Sequence, residues 1–443
     1  MIKPQQLFRF LVIQTIIMMI GLTVTSLANS GQNTKAPSIT KDVMDDEDKK
    51  LTPLILPYAF YTESFEFIVG VGGGATGFQD GQAGVYGTVF TTTNSTTGAF
   101  LLGTDTRVPL GRRLFVDSII TYGWYAEVRD YISGNPDFPD EEAGSNDSSP
   151  ENYVTSSGYD SWAEFNFKYI LPWGNAGSSG ISTYKLDHGL LVSGATGGEF
   201  WNPLKSGISF IEFQPFYRYR TFEFPTDVSS GSTNGFEFGF VHDNRDYPQN
   251  PSTGSIQRLN VTSDFGWFGS ESWTVIKGGA SKYISLGETE KFRQRVIALN
   301  LWVSDNISEE VQYTDEGERH LHRAPAYLGS SLGGFYQLRG YPQYRFSDKV
   351  AIYYGAEFRL IPDWNPLGRI SVLKFFDIDW IQLVGILEAG RVDSHLSADS
   401  FYKDLHWDIG LGIRIMARKV VLRIDGAASD EGFSMWAMAG QAF

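Results

Sequence analysis

Leu332-Gly333-Gly334-Phe335-Tyr336-Gln337-Leu338-Arg339-Gly340-Tyr341 is the stretch whose reading decides the fold. Its three glycines mark a loop that must turn or approach another backbone closely. It carries one long cationic side chain among aromatics. Taken alone, Arg339-Gly340-Tyr341 is an ordinary surface-loop tripeptide, and its weight comes from the flanking sequence. Just downstream, Tyr353, Gly355, Glu357 and Arg359 alternate with Tyr354, Ala356, Phe358 and Leu360. From His406 to Ile415, odd positions are apolar and even ones polar, charged or glycine. Trp162 to Ile170 sets Glu164, Asn166 and Lys168 between Ala163, Phe165, Phe167 and Tyr169. Period-two alternation is the mark of strands with one greasy and one polar face. Such strands build either a sandwich or a membrane barrel.

The N-terminus favours the barrel. Lys3 and Arg9 precede the largely apolar run Phe10 to Leu27, and Ser26-Leu27-Ala28 is a small-x-small cleavage site, so residues 1–28 read as a secretory signal. Beyond it no run of about 18 apolar residues could form a spanning helix. The chain holds 48 Gly, 22 Tyr, 32 Phe and 11 Trp, and no Cys. Disulfides, thiolate metal sites and a cysteine nucleophile are thereby excluded. An exported, Cys-free, Gly- and aromatic-rich chain suits an outer-membrane β-barrel. The net charge of -15 becomes -17 once Lys3 and Arg9 leave with the signal, which disfavours nucleic acid as a partner.

Residues 29–52, with the cluster Asp45-Asp46-Glu47-Asp48-Lys49-Lys50, read as a disordered acidic periplasmic tether. The barrel is expected over 53–443 with about sixteen strands, an allowed even number. They are placed near 53–61, 64–75, 83–94, 97–108, 112–130, 156–172, 206–222, 234–243, 254–268, 271–285, 291–304, 348–361, 378–391, 405–416, 419–427 and 432–443. With both ends of the barrel in the periplasm, the acidic stretch 131–155 falls at the cell surface and 305–347 becomes the sixth surface loop. Parity makes 173–205 a long periplasmic connection, with Gly189 to Ser193 a candidate strand inside it.

The 332–341 motif resembles the signature of the barrel superfamily of outer-membrane assembly factors and two-partner-secretion translocases, which bears the bacterial surface antigen domain. The resemblance covers only the barrel, in a form without periplasmic docking (POTRA) domains. It implies that the sixth loop folds into the lumen and that Arg339, flanked by Gly340 and Tyr341, meets inner-wall carboxylates on the next two strands. The first of these strands reads Gly355-Ala356-Glu357-Phe358 and resembles the family's Glu-Phe pattern with a glycine before it, so Glu357 is one partner. Glu388, where the family usually has Asp, is the other, one methylene longer. A buried guanidinium persists only when paired.

Phe238 to Pro248 is similar to the family's strand ending in Asp-x-Arg-Asp, with Asp243, Arg245 and Asp246 satisfying a tight turn. Phe443, ending an alternating segment, resembles an outer-membrane targeting signal read by the assembly machinery through strand addition. Pro53 and Pro57 remove ladder donors from the first strand, so the seam with the last strand is expected to be weak. Arg218, Arg220, Arg359 and Arg414 should face inward, balancing Glu212, Glu237 and Glu357.

His320 and His322 form a lone His-x-His, a weak metal signal. No nucleophile elbow, phosphate loop or dinucleotide fingerprint is present. No enzyme, cofactor or metal is expected. The resemblance implies a barrel that helps insert or translocate a polypeptide, with outer-membrane lipid, assembly machinery and a polypeptide client as partners. The alternatives are a passive solute porin, or a surface antigen or adhesin displayed on a barrel.

Overall fold

The computed structural model describes residues 40–43, 52–62, 66–176, 180–198, 200–223, 228–308, 310–313, 319–367, 376–417 and 420–443. The proposed signal lies outside the described residues, as does most of the acidic tether.

Sixteen strands form one sheet in sequence order, each antiparallel to the next. They are β1 (Thr52–Thr62), β2 (Glu66–Phe78), β3 (Ala83–Thr92), β4 (Thr97–Arg107), β5 (Leu114–Asp130), β6 (Val154–Ile170), β7 (Ile208–Glu223) and β8 (Val228–Asp243), then β9 (Gly254–Phe265), β10 (Ser272–Ser285), β11 (Phe292–Asn306), β12 (Val350–Pro362), β13 (Ile378–Asp393), β14 (His406–Ala417), β15 (Val420–Ser429) and β16 (Gly432–Ala439). This is an up-and-down β-barrel, and the alternation explains it. One face of each strand carries exposed apolar side chains, among them Phe238, Phe240, Leu259, Leu301, Ile409 and Leu411. The opposite face carries buried charge. A water-soluble sandwich buries its apolar faces and wets its polar ones. Here the arrangement is inverted, as hydrocarbon outside and a polar lumen require. β5 and β6 are 17 residues long, more than the 9–11 or so a bilayer crossing needs, and their ends project beyond it.

Four details depart from the sequence reading. β8 starts at Val228 rather than near 234, over Ser229 to Ser232, which lack the alternation by which a strand is legible in sequence. β16 ends at Ala439, and Gly440, at φ 84°, turns the chain off the sheet. Part of the tether, Thr40–Val43, is a strand. The 173–205 connection does not stay outside the barrel. Within it Ser182–Asp187 and Leu190–Ser193 form a hairpin. Tyr184 and Leu186 pack on Tyr247, Ile361, Trp380, Met416 and Val421, so the hairpin crosses the lumen mouth to the far wall. Among the described residues, no ladder joins β1 to β16.

Candidate functional site

The sixth loop enters the barrel between β11 and β12, and its tip is built by glycine. Gly333 and Gly334 adopt φ of 105° and 110°, a region that side chains avoid. A short ladder, Ser331–Leu332 with Phe346–Ser347, closes the base of the tip. Leu332, Leu338, Tyr341 and Phe346 pack on Trp302, Ala351, Tyr353 and Val392 of the wall. Gly340 lies so close to that wall that an added Cβ would sit 2.6 Å from Asp408 Cβ.

Arg339 is fully buried. Its Nη1 lies 2.8 Å from Glu357 Oε1 and 2.6 Å from Asp425 Oδ2, and its Nη2 lies 3.0 Å from Glu388 Oε1. The Arg339 backbone N–H donates to Glu388 Oε2 at 2.6 Å. Glu388 thus grips both side chain and main chain of the loop. The Gly340 N–H donates to Asp408 Oδ2 at 2.8 Å, and the Tyr341 hydroxyl donates to Asp430 Oδ1 at 2.7 Å. Trp436 Nε1 donates to the Arg339 carbonyl at 2.7 Å. The loop is therefore held by β12, β13, β14, β15 and β16.

Three further guanidiniums complete the cluster. Arg414 Nη2 lies 2.6 Å and Arg359 Nη2 2.7 Å from Glu357, and Arg423 pairs with Asp425. Arg339, Arg359, Arg414 and Arg423 are thus set against Glu357, Glu388, Asp408 and Asp425, all of them buried. Each of the four guanidiniums lies against at least one carboxylate, which is how such density of charge survives away from water. Burial by itself disfavours the charged form of Arg339, yet Glu388, Asp425 and Glu357 hold its pKa well above the ordinary arginine value.

The same loop reaches the opposite wall. The Tyr327 ring lies 3.9 Å from the Arg218 guanidinium carbon, and its hydroxyl is 2.9 Å from Thr233 Oγ1. Arg345 donates to Glu431 Oε2 at 2.8 Å and to Ser148 Oγ at 2.9 Å. Ser148 belongs to the acidic 131–155 stretch, which folds down as a lid. The Ser347 N–H donates to the Gly144 carbonyl at 2.7 Å, and the Val392 N–H to Asn146 Oδ1 at 3.1 Å.

The structure brings together Arg339, Glu357 and Glu388 at hydrogen-bond distance, with Gly340 and Tyr341 against the wall. Phe443 lies elsewhere. It leaves β16, folds inward and packs on Tyr283, Val296 and Ala298, while Arg359 donates to its main-chain oxygen at 3.2 Å. Arg218, Arg220, Arg359 and Arg414 face the lumen as expected, but their partners differ in part. Arg218 pairs with Asp160 and Arg220 with Asp130. Glu212 accepts from Asn166, and Glu237 from Asn260 and Thr262. Asp408, Arg423 and Asp425 were missed. Their signal was present, since all three fall on the inward phase of their strands.

At the mouth opposite the 131–155 stretch, the Asp243–Asp246 turn forms a second cluster. Arg245, fully buried, donates through Nε at 2.8 Å and Nη2 at 2.6 Å to the two oxygens of Asp243. Thr196 Oγ1 donates to the Arg245 carbonyl at 3.2 Å and is 2.9 Å from the Tyr184 hydroxyl, which ties this turn to the inserted hairpin. Asn250 and Gln382 join the turn to β13.

Among the described residues, no group of three or more His, Cys, Asp or Glu gathers to hold a metal. Ser209 Oγ lies 3.0 Å from His242 Nδ1, but both are buried, and Trp201 stacks edge-on against the imidazole. No substrate could reach that hydroxyl.

No protein-family model and no curated protein matches the chain. Among solved structures, it is similar to BamA from Haemophilus ducreyi lacking POTRA domains 1–3, at 11% identity and a TM-score of 0.46 over 88% of this chain and 70% of that one. CdiB from Escherichia coli is similar at 12% identity and a TM-score of 0.49 over 87% of this chain. CdiB from Acinetobacter baumannii is similar at 13% and 0.46, again over 87%. The chain spans 62% and 59% of those two CdiB chains.

Proposed function

We propose that this chain is an outer-membrane barrel that assists the insertion or translocation of polypeptides, and that it is not an enzyme. The observation that carries this reading is the loop bearing Arg339, pinned by carboxylates of three strands inside a lumen whose two mouths are both filled. A passive porin needs an open aqueous path. A display barrel needs surface loops that project, whereas here the acidic 131–155 stretch is folded onto the sixth loop. The seam between β1 and β16 offers a place where strands can part, and the 332–341 motif resembles that of assembly factors and translocases.

Planar-bilayer recordings on the purified protein test the plugged state. The intact chain should conduct little, and replacing residues 324–347 with a short Gly-Ser linker should open a large pore. Large constitutive currents from the intact protein would return the porin reading to first place. Proteoliposomes given an unfolded barrel substrate test the activity. Insertion should rise above that of empty liposomes and fall when cysteines placed in Thr52–Thr62 and Gly432–Ala439 are oxidised.

A further inference from the structure

The hairpin in the periplasmic mouth has a third strand. Thr40–Val43 lies parallel to Ser182–Asp187, with Thr40 opposite Ser182, Lys41 opposite Thr183, Asp42 opposite Tyr184 and Val43 opposite Lys185. The other edge of Ser182–Asp187 is taken by Leu190–Ser193. Along Ser182–Asp187, Ser182, Tyr184 and Leu186 are buried while Thr183, Lys185 and Asp187 are exposed. One face of this small sheet thus seals the lumen and the other looks out of the barrel.

Among the described residues, the pairing of Thr40–Val43 differs from every ladder of the barrel wall. It is parallel, only four residues long, and joined to its partner by no turn. A parallel ladder is slightly weaker per residue than an antiparallel one. Strand addition draws its affinity from main-chain hydrogen bonds, which any extended segment can supply. Eight residues then separate Val43 from Thr52, the start of β1 and one side of the unpaired seam. At about 3.5 Å per residue that link reaches at most about 30 Å, so the occupant of the hairpin edge and the seam strand are on one short tether.

We propose that the Ser182–Asp187 edge is a docking site for an extended polypeptide segment, paired in parallel, and that Thr40–Val43 occupies it as the chain's own competitor. The identity of the visitor as polypeptide rests on the function proposed above. An arriving segment displaces Thr40–Val43 at the periplasmic mouth and releases the tether that leads to β1.

The test uses the full-length protein, whose lack of cysteine makes crosslinking clean. With Lys41→Cys, the partner Thr183→Cys should oxidise to a disulfide faster than the off-register partner Lys185→Cys. A second chain has Thr40–Val43 replaced by an equal length of Gly-Ser, with its barrel checked by circular dichroism. Two fluorescent probes are added, a peptide with the sequence of residues 36–47 and an unrelated extended peptide of alternating Thr and Val. Both should bind the replaced chain saturably and the intact chain about tenfold more weakly or worse, because a tethered competitor acts at an effective concentration near millimolar. The 36–47 peptide with Thr40→Pro, Lys41→Pro, Asp42→Pro and Val43→Pro, which has no ladder donor in either phase of the strand, should not bind. Absence of peptide binding, equal binding by the proline peptide, or crosslinking without register preference would each overturn the proposal. So would binding of the 36–47 peptide alone, which makes the edge a private structural contact. Peptide binding with failed substrate insertion removes only the functional reading, and insertion without peptide binding removes only this site.

Discussion

The two mouths of this barrel are closed by different chemistry. The outer plug is ionic and long-range: Arg339 draws carboxylates from β12, β13 and β15 and accepts at its carbonyl from Trp436 of β16, and Gly340 reaches β14. The inner plug keeps its ion pair local. Arg245 is satisfied by Asp243, two residues away, and by the Pro248 carbonyl, while Tyr184, Leu186, Tyr247, Trp380 and Met416 supply the closure. An arginine paired within its own turn fixes the turn and little else. An arginine paired to three strands fixes the loop to the barrel. The outer plug therefore adds to its packing an ion cluster shared among several strands, and the inner plug is a packed surface with a local ion pair.

Arg339→Ala is the strongest way to break this contrast. It leaves buried Glu388 without its guanidinium, while Glu357 keeps Arg359 and Arg414 and Asp425 keeps Arg423, and breaking a buried pair typically costs about 3–5 kcal/mol. Single-channel conductance should rise and the heat-induced mobility shift on gels should come at lower temperature, with the inner hairpin still resistant to protease. If conductance is unchanged, the guanidinium does not hold the loop.

Tyr184→Ala attacks the other plug. Truncating a buried aromatic costs roughly 3 kcal/mol. Protease should then cut within 182–193 while the sixth loop remains protected. Simultaneous exposure of both plugs would show that they are one cooperative unit.

Gly340→Ala sharpens the geometry of the outer plug. Its Cβ would sit 2.6 Å from Asp408 Cβ and 3.1 Å from the Ala428 carbonyl carbon. Overpacking of this kind costs about 1–3 kcal/mol. The expected readout is a partial rise in conductance, smaller than that of Arg339→Ala. The smallest effect belongs to Lys403→Ala, which removes an exposed pair with Asp399. Solvent screens such an exposed pair and leaves it little weight, so thermal stability and conductance should both match the intact chain.

Much of the outer plug could be read in the sequence, and the residues show why. Arg339 sits in a motif with its own glycines, and Glu357 lies on a strand whose phase is visible over eight residues. Asp425 could not be assigned to Arg339 in that way. Its place depends on the ladder in which Gly412 faces Asp425 and on the one in which Val384 faces Gly412. Asp408 is opposite Glu388 only through the β13–β14 register. The inner plug was nearly invisible. Ser182 to Asp187 alternates, but six residues of alternation describe an outside hairpin as well as one turned into the lumen.

What the amino-acid sequence determined by itself was the strand count, the inward and outward faces, the identity of the sixth loop and its cation. The count and the faces follow from period-two geometry, which is local to each strand; the loop's place follows from the parity of that count, and the role of its cation from the resemblance of the 332–341 motif. The tertiary structure alone decided which carboxylates meet that cation, that the 182–193 hairpin turns inward, and that Phe443 leaves the sheet. Those outcomes depend on register summed across neighbouring strands and on packing between segments far apart in the chain, quantities that no single strand carries.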